Sequence, residues 1–307
     1  MKGGTAVGDL PERPVEPEWL ALREPADARA RQAGAATLLT PLLSHLAGRP
    51  YAGPGRPSPD GAGRGVRVVD LGAGTGANLR WLAPRLTVLR EGALEAQHWT
   101  LVDHDPRLCS WGPASSTTVR ADVADLPRLL TQLDGVDLVT AAALLDLLDG
   151  PTLAAVVDAT VAHGVPTLLA LSVTGSVHLD PSHPADGAVR AAFDAHQRRD
   201  GRLGPDAPTE AVRRYRDRGW TVVEAPTAWR LGAHDTDLVL AWLEGRVEAA
   251  VEWQPSLDDR ARAWLERRRA QALAGLLSVV VDHVDVLALP DPGTASPTAR
   301  PPRRPST

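Results

Sequence analysis

A glycine-rich turn behind a carboxylate is the part of the chain best suited to bind a ligand. Residues 68–78 are Val-Val-Asp-Leu-Gly-Ala-Gly-Thr-Gly-Ala-Asn, which predicts an apolar strand, a turn and the start of a helix. Glycine lets the backbone turn tightly and approach a ligand without a Cβ in the way. The amides that open a helix donate to polar or anionic groups. The stretch therefore predicts a binding site, and a turn without a ligand is the weaker alternative.

Two ligand classes fit a turn of this kind. Gly72, Gly74 and Ala77 satisfy the G-x-G-x-x-G/A pattern of dinucleotide-binding enzymes. Asp70 argues against that class, because dinucleotide folds usually keep an apolar residue there and a carboxylate opposes a pyrophosphate at the helix start. Gly76 completes the form D-x-G-x-G-x-G, which favours a different ligand.

That form resembles motif I of the class I S-adenosylmethionine-dependent methyltransferases. The chain is also similar to a bacterial group of this class through residues 19–27, Trp-Leu-Ala-Leu-Arg-Glu-Pro-Ala-Asp. The resemblance implies S-adenosyl-L-methionine as the cofactor and a direct in-line attack of an acceptor on its methyl group. It also implies that the cofactor contacts residues in and beside the turn, namely Asp70, Gly72, Ala73, Gly74, Gly76 and Asn78.

Acids at the ends of the next two predicted strands extend the resemblance. In the family, an acid ending the second strand accepts hydrogen bonds from both ribose hydroxyls, which a carboxylate can do with its two oxygens. The resemblance gives this role to Asp103, with His104 beside it, and gives the adenine contacts to Asp122 and Val123. A helix cap or a surface charge is the alternative for each acid, and Asp105 is expected to be solvated or to cap the next helix.

Three residues are candidates for handling a proton on the acceptor. Asp146 stands among leucines after the fourth predicted strand, where a carboxylate needs a partner or a function. The alternative is a solvent-facing position on an amphipathic helix. His178 and His196 can take a proton near neutral pH, although a lone histidine is more often a surface or capping residue. Arg198 or Arg199 can hold an acidic substrate, but a solvated helix end is the favoured interpretation.

Short apolar strands alternate with helices from residue 66 onward. Strands are predicted at residues 66–71, 99–102, 118–121, 136–141, 165–172, 220–223 and 277–289. Helices are predicted at 25–47, 78–89, 188–197, 209–218, 235–253 and 257–273, the first being kinked or split at Pro41. The alternation predicts an α/β fold with a doubly wound, mostly parallel sheet. The resemblance to the class I methyltransferases implies the seven-stranded, Rossmann-like form of this sheet.

Composition divides the chain into four regions. They are a disordered tail at 1–17, an N-terminal helical cap and linker at 18–65, a methyltransferase domain at 66–290 and a Pro-rich disordered tail at 291–307. Residues 174–275 are expected to form the substrate side, with a turn-rich loop at 174–184. A helical pair inserted between the last two strands is interpreted as a lid, and residues 87–98 as a further insertion.

Charge and cysteine content exclude several classes of protein. The chain has 307 residues, a formal net charge of −5 and one cysteine. The charge argues against nucleic-acid binding, and the single cysteine excludes an internal disulfide. No apolar stretch is long enough to span a bilayer and no signal-peptide core is present near the start, so no membrane association and a cytoplasmic location are expected.

The absence of two motifs from the sequence restricts the classes of methyl acceptor. No Asn-Pro-Pro-Tyr run follows the fourth strand, which argues against methylation of nucleic-acid amino groups, and no Asp-Asn pair follows the fifth, so no metal is expected. The sequence predicts methyl transfer from S-adenosyl-L-methionine to a small-molecule acceptor. The alternatives are an NAD(P)-dependent oxidoreductase and a non-catalytic S-adenosylmethionine-binding regulatory protein. The oligomeric state stays open.

Overall fold

A computed structural model describes residues 15–48, 65–87, 89–90, 93–94, 96–133 and 135–291 of the chain. Its strands are β1 Val66–Leu71, β2 Leu89–Arg90, β3 Ala93–Leu94, β4 Gln97–Asp103, β5 Ser116–Arg120, β6 Leu138–Ala142, β7 Thr167–Asp180, β8 Thr221–Pro226, β9 Trp229–Leu231 and β10 Ser278–Leu289. Its helices are α1 Pro17–Gly48, α2 Ala77–Leu82, α3 Pro106–Cys109, α4 Leu126–Gln132, α5 Gly150–His163, α6 Asp186–Gln197, α7 Ala207–Arg216, α8 Thr236–Trp253 and α9 Asp258–Leu273.

Seven strands form the central sheet in the order β5-β4-β1-β6-β7-β10-β8, and the short β9 also pairs with β10. The strands from β5 to β7 pair in parallel, whereas β10 is antiparallel to β7 and β8. Helices cover both faces, with α1 and α2 on one and α4, α5 and α7 on the other. This confirms the predicted doubly wound, mostly parallel α/β sheet.

The strand order reverses at β1. Its neighbours are β4 on one side and β6 on the other, and ligands of open α/β sheets bind beyond the carboxyl ends of the strands at such a point. The turn after β1, the end of β4 and the segment after β6 therefore meet at the edge where a ligand is expected.

Helix α1 is longer than predicted and is not split. It begins at Pro17, eight residues before Pro25, and continues through Pro41. A proline inside a helix removes a backbone hydrogen bond, but the face formed by Leu38, Leu42 and other apolar residues is buried against the sheet. We attribute the continuity to this packing, which offsets the lost hydrogen bond.

Two other predicted elements were wrong in extent. The helix predicted at 78–89 ends at Leu82 and is followed by a short 3-10 turn containing Pro84, because proline cannot donate to the helix ladder. The turn-rich loop predicted at 174–184 is a strand as far as Asp180. Val173 and residues 177–180 pair with β10, and the ladder is irregular between them, where Gly175 has a φ of 78°. Tertiary pairing on both sides of this irregularity extends the strand through a segment whose local composition favours a turn.

A second group of helices covers the extended halves of β7 and β10. Helices α6, α8 and α9 pack on one another and on these strands through a common apolar cluster. As predicted, α8 and α9 are inserted between β8 and β10, and the 2-stranded hairpin of β2 and β3 falls within the insertion predicted at 87–98. Most of the predicted tails and linker lies in residues 1–14, 49–64 and 292–307, outside the described residues.

Candidate functional site

The glycine turn between β1 and α2 is fastened to the end of β4. Gly72, Gly74 and Gly76 have φ values of 60°, 55° and 81°, a region in which a side chain would be strained. The Ala73 amide donates to the Val102 carbonyl at 3.1 Å, and the Gly74 amide donates to Oδ2 of Asp103 at 2.8 Å. The predicted glycines thus form one loop beside the predicted strand-end acid.

Asp103 orients both loops at the switch point. Its Oδ1 accepts from the Asp105 amide at 2.9 Å, and the side chain is buried. Each carboxylate oxygen can accept more than one hydrogen bond, so acceptor capacity remains after these two contacts. His104 is exposed, with Nδ1 3.8 Å from Oδ1 of Asp103.

Asp105 is a helix cap, one of the two roles expected for it. Its carboxylate accepts from the Arg107 amide at 2.8 Å at the start of α3. Hydrogen bonds from the side chain and amide of Arg107 lower the pKa of Asp105 to about 2. Asp105 therefore has a structural partner, and its neighbour Asp103 is the acid that contacts the glycine turn.

Asp122 and Val123 lie after β5. Asp122 is exposed, and its Oδ1 accepts from the Ala124 amide at 2.8 Å, capping the short 3-10 turn Val123–Asp125. Val123 is half-buried. These contacts are those of the capping alternative, and the adenine roles of both residues stay a prediction.

Asp70 lies beneath the glycine turn and is fully buried. Its Oδ1 accepts from Asn78 Nδ2 at 2.7 Å, and Oδ1 of Asn78 accepts from Arg31 Nη1 at 2.8 Å. Burial raises the pKa of Asp70 to about 7, while the Asn78 hydrogen bond and the charge of Arg31 oppose the rise. Oδ2 of Asp70 has no hydrogen-bond partner among the described residues.

Arg31 and Asp285 form a buried pair that the sequence analysis missed. Arg31 Nε is 3.5 Å from Oδ2 of Asp285, and both side chains are almost fully buried. Oδ1 of Asp285 accepts from the Leu171 amide and from Thr227 Oγ1, each at 2.7 Å. Burial lowers the pKa of Arg31 and raises that of Asp285. In the sequence, this pair is indicated only by the acid Asp285 within the otherwise apolar stretch 284–289.

The segment after β6 presents Asp146 at the same edge. Asp146 is half-buried in the 3-10 turn Leu145–Leu147, which is shorter than the amphipathic helix of the alternative interpretation. Desolvation raises the pKa of Asp146, while the charges of Arg23 and Arg202 lower it. Its electrostatic partner Arg23 belongs to α1, which places this acid within reach of the N-terminal helix.

Arg23 is part of a second cluster that the sequence analysis missed. It pairs with Asp27 at 2.9 Å, and Asp27 accepts from Trp229 Nε1 at 2.8 Å. His283 stacks near Trp229 with ring centroids 5.2 Å apart, and burial lowers the pKa of His283 to about 4. Helix α1, near the start of the chain, thus brings the charge of Arg23 to Asp146.

The two candidate histidines lie elsewhere. His178 is exposed on β7, eight residues beyond Ala170, the last residue of β7 that pairs with β6, or roughly 25 Å along the strand. His196 is buried at the end of α6, where it accepts from Arg199 Nη1 at 2.8 Å and lies 3.6 Å from Glu252. Their catalytic roles stay a prediction that the geometry does not favour.

Arg198 and Arg199, the residues considered for holding an acidic substrate, both have partners within the chain. Arg198 pairs with Asp206 at 2.8 Å, and Arg199 contacts His196. These contacts match the interpretation of a solvated helix end.

The described residues offer neither a cluster of metal ligands nor a helix that could span a membrane. They contain no group of three or more His, Cys, Asp or Glu side chains placed to hold a metal ion. Within the same residues, no helix combines the length and apolar character needed to cross a membrane.

No family model matches the chain, and no curated protein matches it. Solved structures that align with it include a protein described as a type II methyltransferase from Anaeromyxobacter dehalogenans, with 18% identity and a TM-score of 0.42 over 75% of this chain and 93% of that one. An S-adenosylmethionine-dependent methyltransferase from Archaeoglobus fulgidus aligns with 11% identity and a TM-score of 0.41 over 88% and 98%. A cyclopropane synthase from Mycobacterium tuberculosis aligns with 13% identity and a TM-score of 0.39 over 81% and 82%. Similarity this low does not show the function of this chain.

Proposed function

We propose that the protein transfers a methyl group from S-adenosyl-L-methionine to a small-molecule acceptor. The observation that carries this proposal is the glycine turn at the switch point of the sheet, whose Gly74 amide is bonded to the carboxylate of Asp103. A loop with this backbone and an adjacent acid with spare acceptor capacity suits a ligand that has both a charged amino-acid end and a ribose.

The residues around the turn fit that cofactor. Asp103 has acceptor capacity for the ribose hydroxyls. Asp122 and Val123 follow β5, the strand next to β4, and are proposed to contact the adenine. Oδ2 of Asp70 is a buried acceptor without a partner among the described residues, and a ligand ammonium group supplies the donor that such an acceptor needs. When bound, the cofactor supplies an electrophilic methyl group on its sulfonium.

Asp146 is the residue we assign to the acceptor. It follows β6, and desolvation raises its pKa, so it is a better proton acceptor than an ordinary exposed carboxylate. Direct displacement at a methyl group depends chiefly on holding the two reactants in line. We infer that Asp146 removes or holds the acceptor's proton, with Arg23 oriented beside it by Asp27.

Each of the two alternative functions differs from the proposed methyl transfer in one testable feature. A dinucleotide oxidoreductase conflicts with Asp70, whose carboxylate lies under the turn where a pyrophosphate would approach. A non-catalytic binding protein shares the cofactor site and lacks turnover, so only a transfer assay separates it from an enzyme.

The experiment incubates the protein with methyl-labelled S-adenosyl-L-methionine and a bacterial extract divided into small-molecule, protein and nucleic-acid fractions. The proposal predicts label in the small-molecule fraction and none with heat-denatured protein. Label confined to protein or nucleic acid would contradict the acceptor class. Binding of the cofactor without transfer to any fraction would favour the regulatory alternative.

A further inference from the structure

A cavity lies between β7 and the group of helices α6, α8 and α9, away from the glycine turn. It has a volume of about 210 Å³ and is bounded by β7, α6, α8 and α9. Val177, Leu179 and Val189 give it apolar walls, together with the ring of Trp264. Val177 is seven residues beyond Ala170, roughly 20 Å along β7 from the last residue that pairs with β6. The cavity is therefore separate from the switch point of the sheet.

One buried cation lines this cavity. Arg246 is 5% exposed, and its guanidinium lies 4.0 Å from the ring centroid of Phe193 and 4.6 Å from that of Trp242. The guanidinium carbon lies over both rings, and the guanidinium carries five N–H donors at its edges. Among the described residues, Arg246 makes no side-chain hydrogen bond and no ion pair within 4.0 Å.

The nearby acids do not neutralise Arg246 directly. Asp186, which also lines the cavity, is bonded to Arg268 at 2.6 Å and to Trp264 Nε1 at 2.7 Å. Asp194 acts on Arg246 only at longer range, and burial lowers the pKa of Arg246 to about 10. The guanidinium therefore remains charged at neutral pH, and Arg190 adds a second positive charge to the wall. Because Arg246 lines the cavity, a ligand that enters it can supply the acceptor that the guanidinium nitrogens need.

We propose that this cavity binds a compact organic carboxylate, with the carboxylate on Arg246 and the apolar body against Val177, Leu179, Val189 and Trp264. A guanidinium edge matches a carboxylate with two parallel hydrogen bonds. The volume equals that of about seven liquid waters at roughly 30 Å³ each, which suits a ligand with an aromatic ring or a short alkyl chain. The apolar walls disfavour a small inorganic anion, whose remaining oxygens would be left without donors.

The test measures binding of benzoate to the full chain by calorimetry at millimolar concentrations, with benzamide as a neutral probe of the same shape and inorganic phosphate as a bare anion. We expect benzoate to bind at least about tenfold more tightly than benzamide or phosphate, the scale of a charge-assisted hydrogen bond. Arg246→Met should weaken benzoate by about 10- to 100-fold, whereas Arg230→Met, on the exposed part of β9, should leave it unchanged.

Arg246→Lys keeps the charge and loses the paired geometry, and it should bind benzoate less tightly than the wild type and more tightly than Arg246→Met. If Arg246→Met does not fold, the lysine variant and the wild-type comparison of benzoate with benzamide still decide the proposal. Equal affinity for benzoate and benzamide, tighter binding of phosphate, or no benzoate binding to the wild type would overturn it. Because none of these probes enters the methyl-transfer assay, failure here leaves the proposed function untouched.

Discussion

At the residue scale, the candidate site depends on carboxylates that the fold holds in different environments. Asp103 uses one oxygen on the Gly74 amide and the other on the Asp105 amide, so its orientation is set by two loops at once. Asp70 is buried with one oxygen bonded to Asn78. Asp105 caps a helix. Neighbouring acids of one residue type therefore have separate tasks, which mutation can distinguish.

Replacing Asp103 should impair cofactor binding, and replacing Asp105 should not. Asp103→Ala removes a charged acceptor, and we expect the affinity for S-adenosylhomocysteine to fall by ~1.5–3 kcal/mol. Asp105→Ala loses the α3 cap and the contact with the Arg107 side chain, and it should retain near wild-type affinity. Calorimetry on both variants, with melting temperatures as a folding control, gives the comparison. Equal losses, or a reversed order, would show that the ribose contact belongs to another residue.

Asp70 should make stability fall as pH rises toward neutrality. Its pKa in the folded chain is about 7, above the ordinary value of 3.8, so the folded state holds a proton that the unfolded state has released. The free energy of unfolding therefore decreases through this window and levels off above about pH 7. Asp70→Asn cannot ionise, and its stability relative to the wild type should rise by on the order of a few kcal/mol between pH 5 and 8.

Urea denaturation at several pH values measures this difference. Asp259→Asn, which replaces an exposed carboxylate at the start of α9, is the matched control and should follow the wild-type curve. A difference between Asp70→Asn and the wild type that is constant from pH 5 to 8 would mean that Asp70 does not titrate in this range.

Asp146 should affect turnover and not cofactor binding. Asp146→Asn keeps the shape of the side chain and removes its ability to take a proton. We expect methyl transfer to fall by on the order of 10²-fold or more, with the affinity for S-adenosylhomocysteine unchanged. Initial rates with the acceptor found in the extract screen provide the readout. Wild-type turnover would leave pure positioning as the mechanism and make His178 and His196 the next residues to replace.

At the element scale, α1 is the helix that closes the site. Leu20 lies so close to the glycine turn that a Cβ on Gly74 would be 3.1 Å from it. Glu24 pairs with Arg80 of α2, and Arg31 stacks on Trp81 at 3.8 Å while reaching Asp285 in β10. A single helix thus connects the glycine turn, α2 and the far side of the sheet.

Removing Arg31 should therefore undock α1. Arg31→Met leaves Asp285 buried without its cation, and we expect a loss of roughly 3–5 kcal/mol in the free energy of unfolding. Arg31→Met combined with Asp285→Asn should recover part of that loss, because no uncompensated charge remains. Arg29 lies on the same helix as Arg31, and its exposed side chain pairs with Asp235 from the turn before α8. Arg29→Met should therefore cost at most about 1 kcal/mol. Similar urea midpoints for the Arg29 and Arg31 variants would contradict this account.

The elements that the sequence predicted well are those specified by local patterns. The strand at 66–71 matches β1, because an apolar run followed by glycines defines both its ends. The extension of β7 was missed because its pairing partner, β10, lies about a hundred residues away in the chain. The termination of α2 was missed because its predicted apolar face continued past Pro84. Local composition alone could not predict these outcomes.

At the scale of the whole molecule, the site combines segments from both ends of the chain. The glycine turn and Asp103 follow strands that are adjacent in the sheet and close in the chain, so motifs predict both of them. Arg31 and Asp285 are separated by most of the sequence and meet only because the last strand, β10, enters the sheet between β7 and β8. Their pairing depends on tertiary contacts with no counterpart in local spacing, which is why the sequence analysis did not identify it.

Calorimetric titration of the wild-type protein with S-adenosylhomocysteine, S-adenosyl-L-methionine and NAD⁺ in turn tests the central claim most directly. The D-x-G-x-G-x-G turn, the buried Asp70 and the strand-end Asp103 predict saturable binding of both sulfur ligands at one site per chain and no competition from NAD⁺. Tight binding of NAD⁺ without a signal from either sulfur ligand would contradict the claim and make the chain a dinucleotide-binding protein.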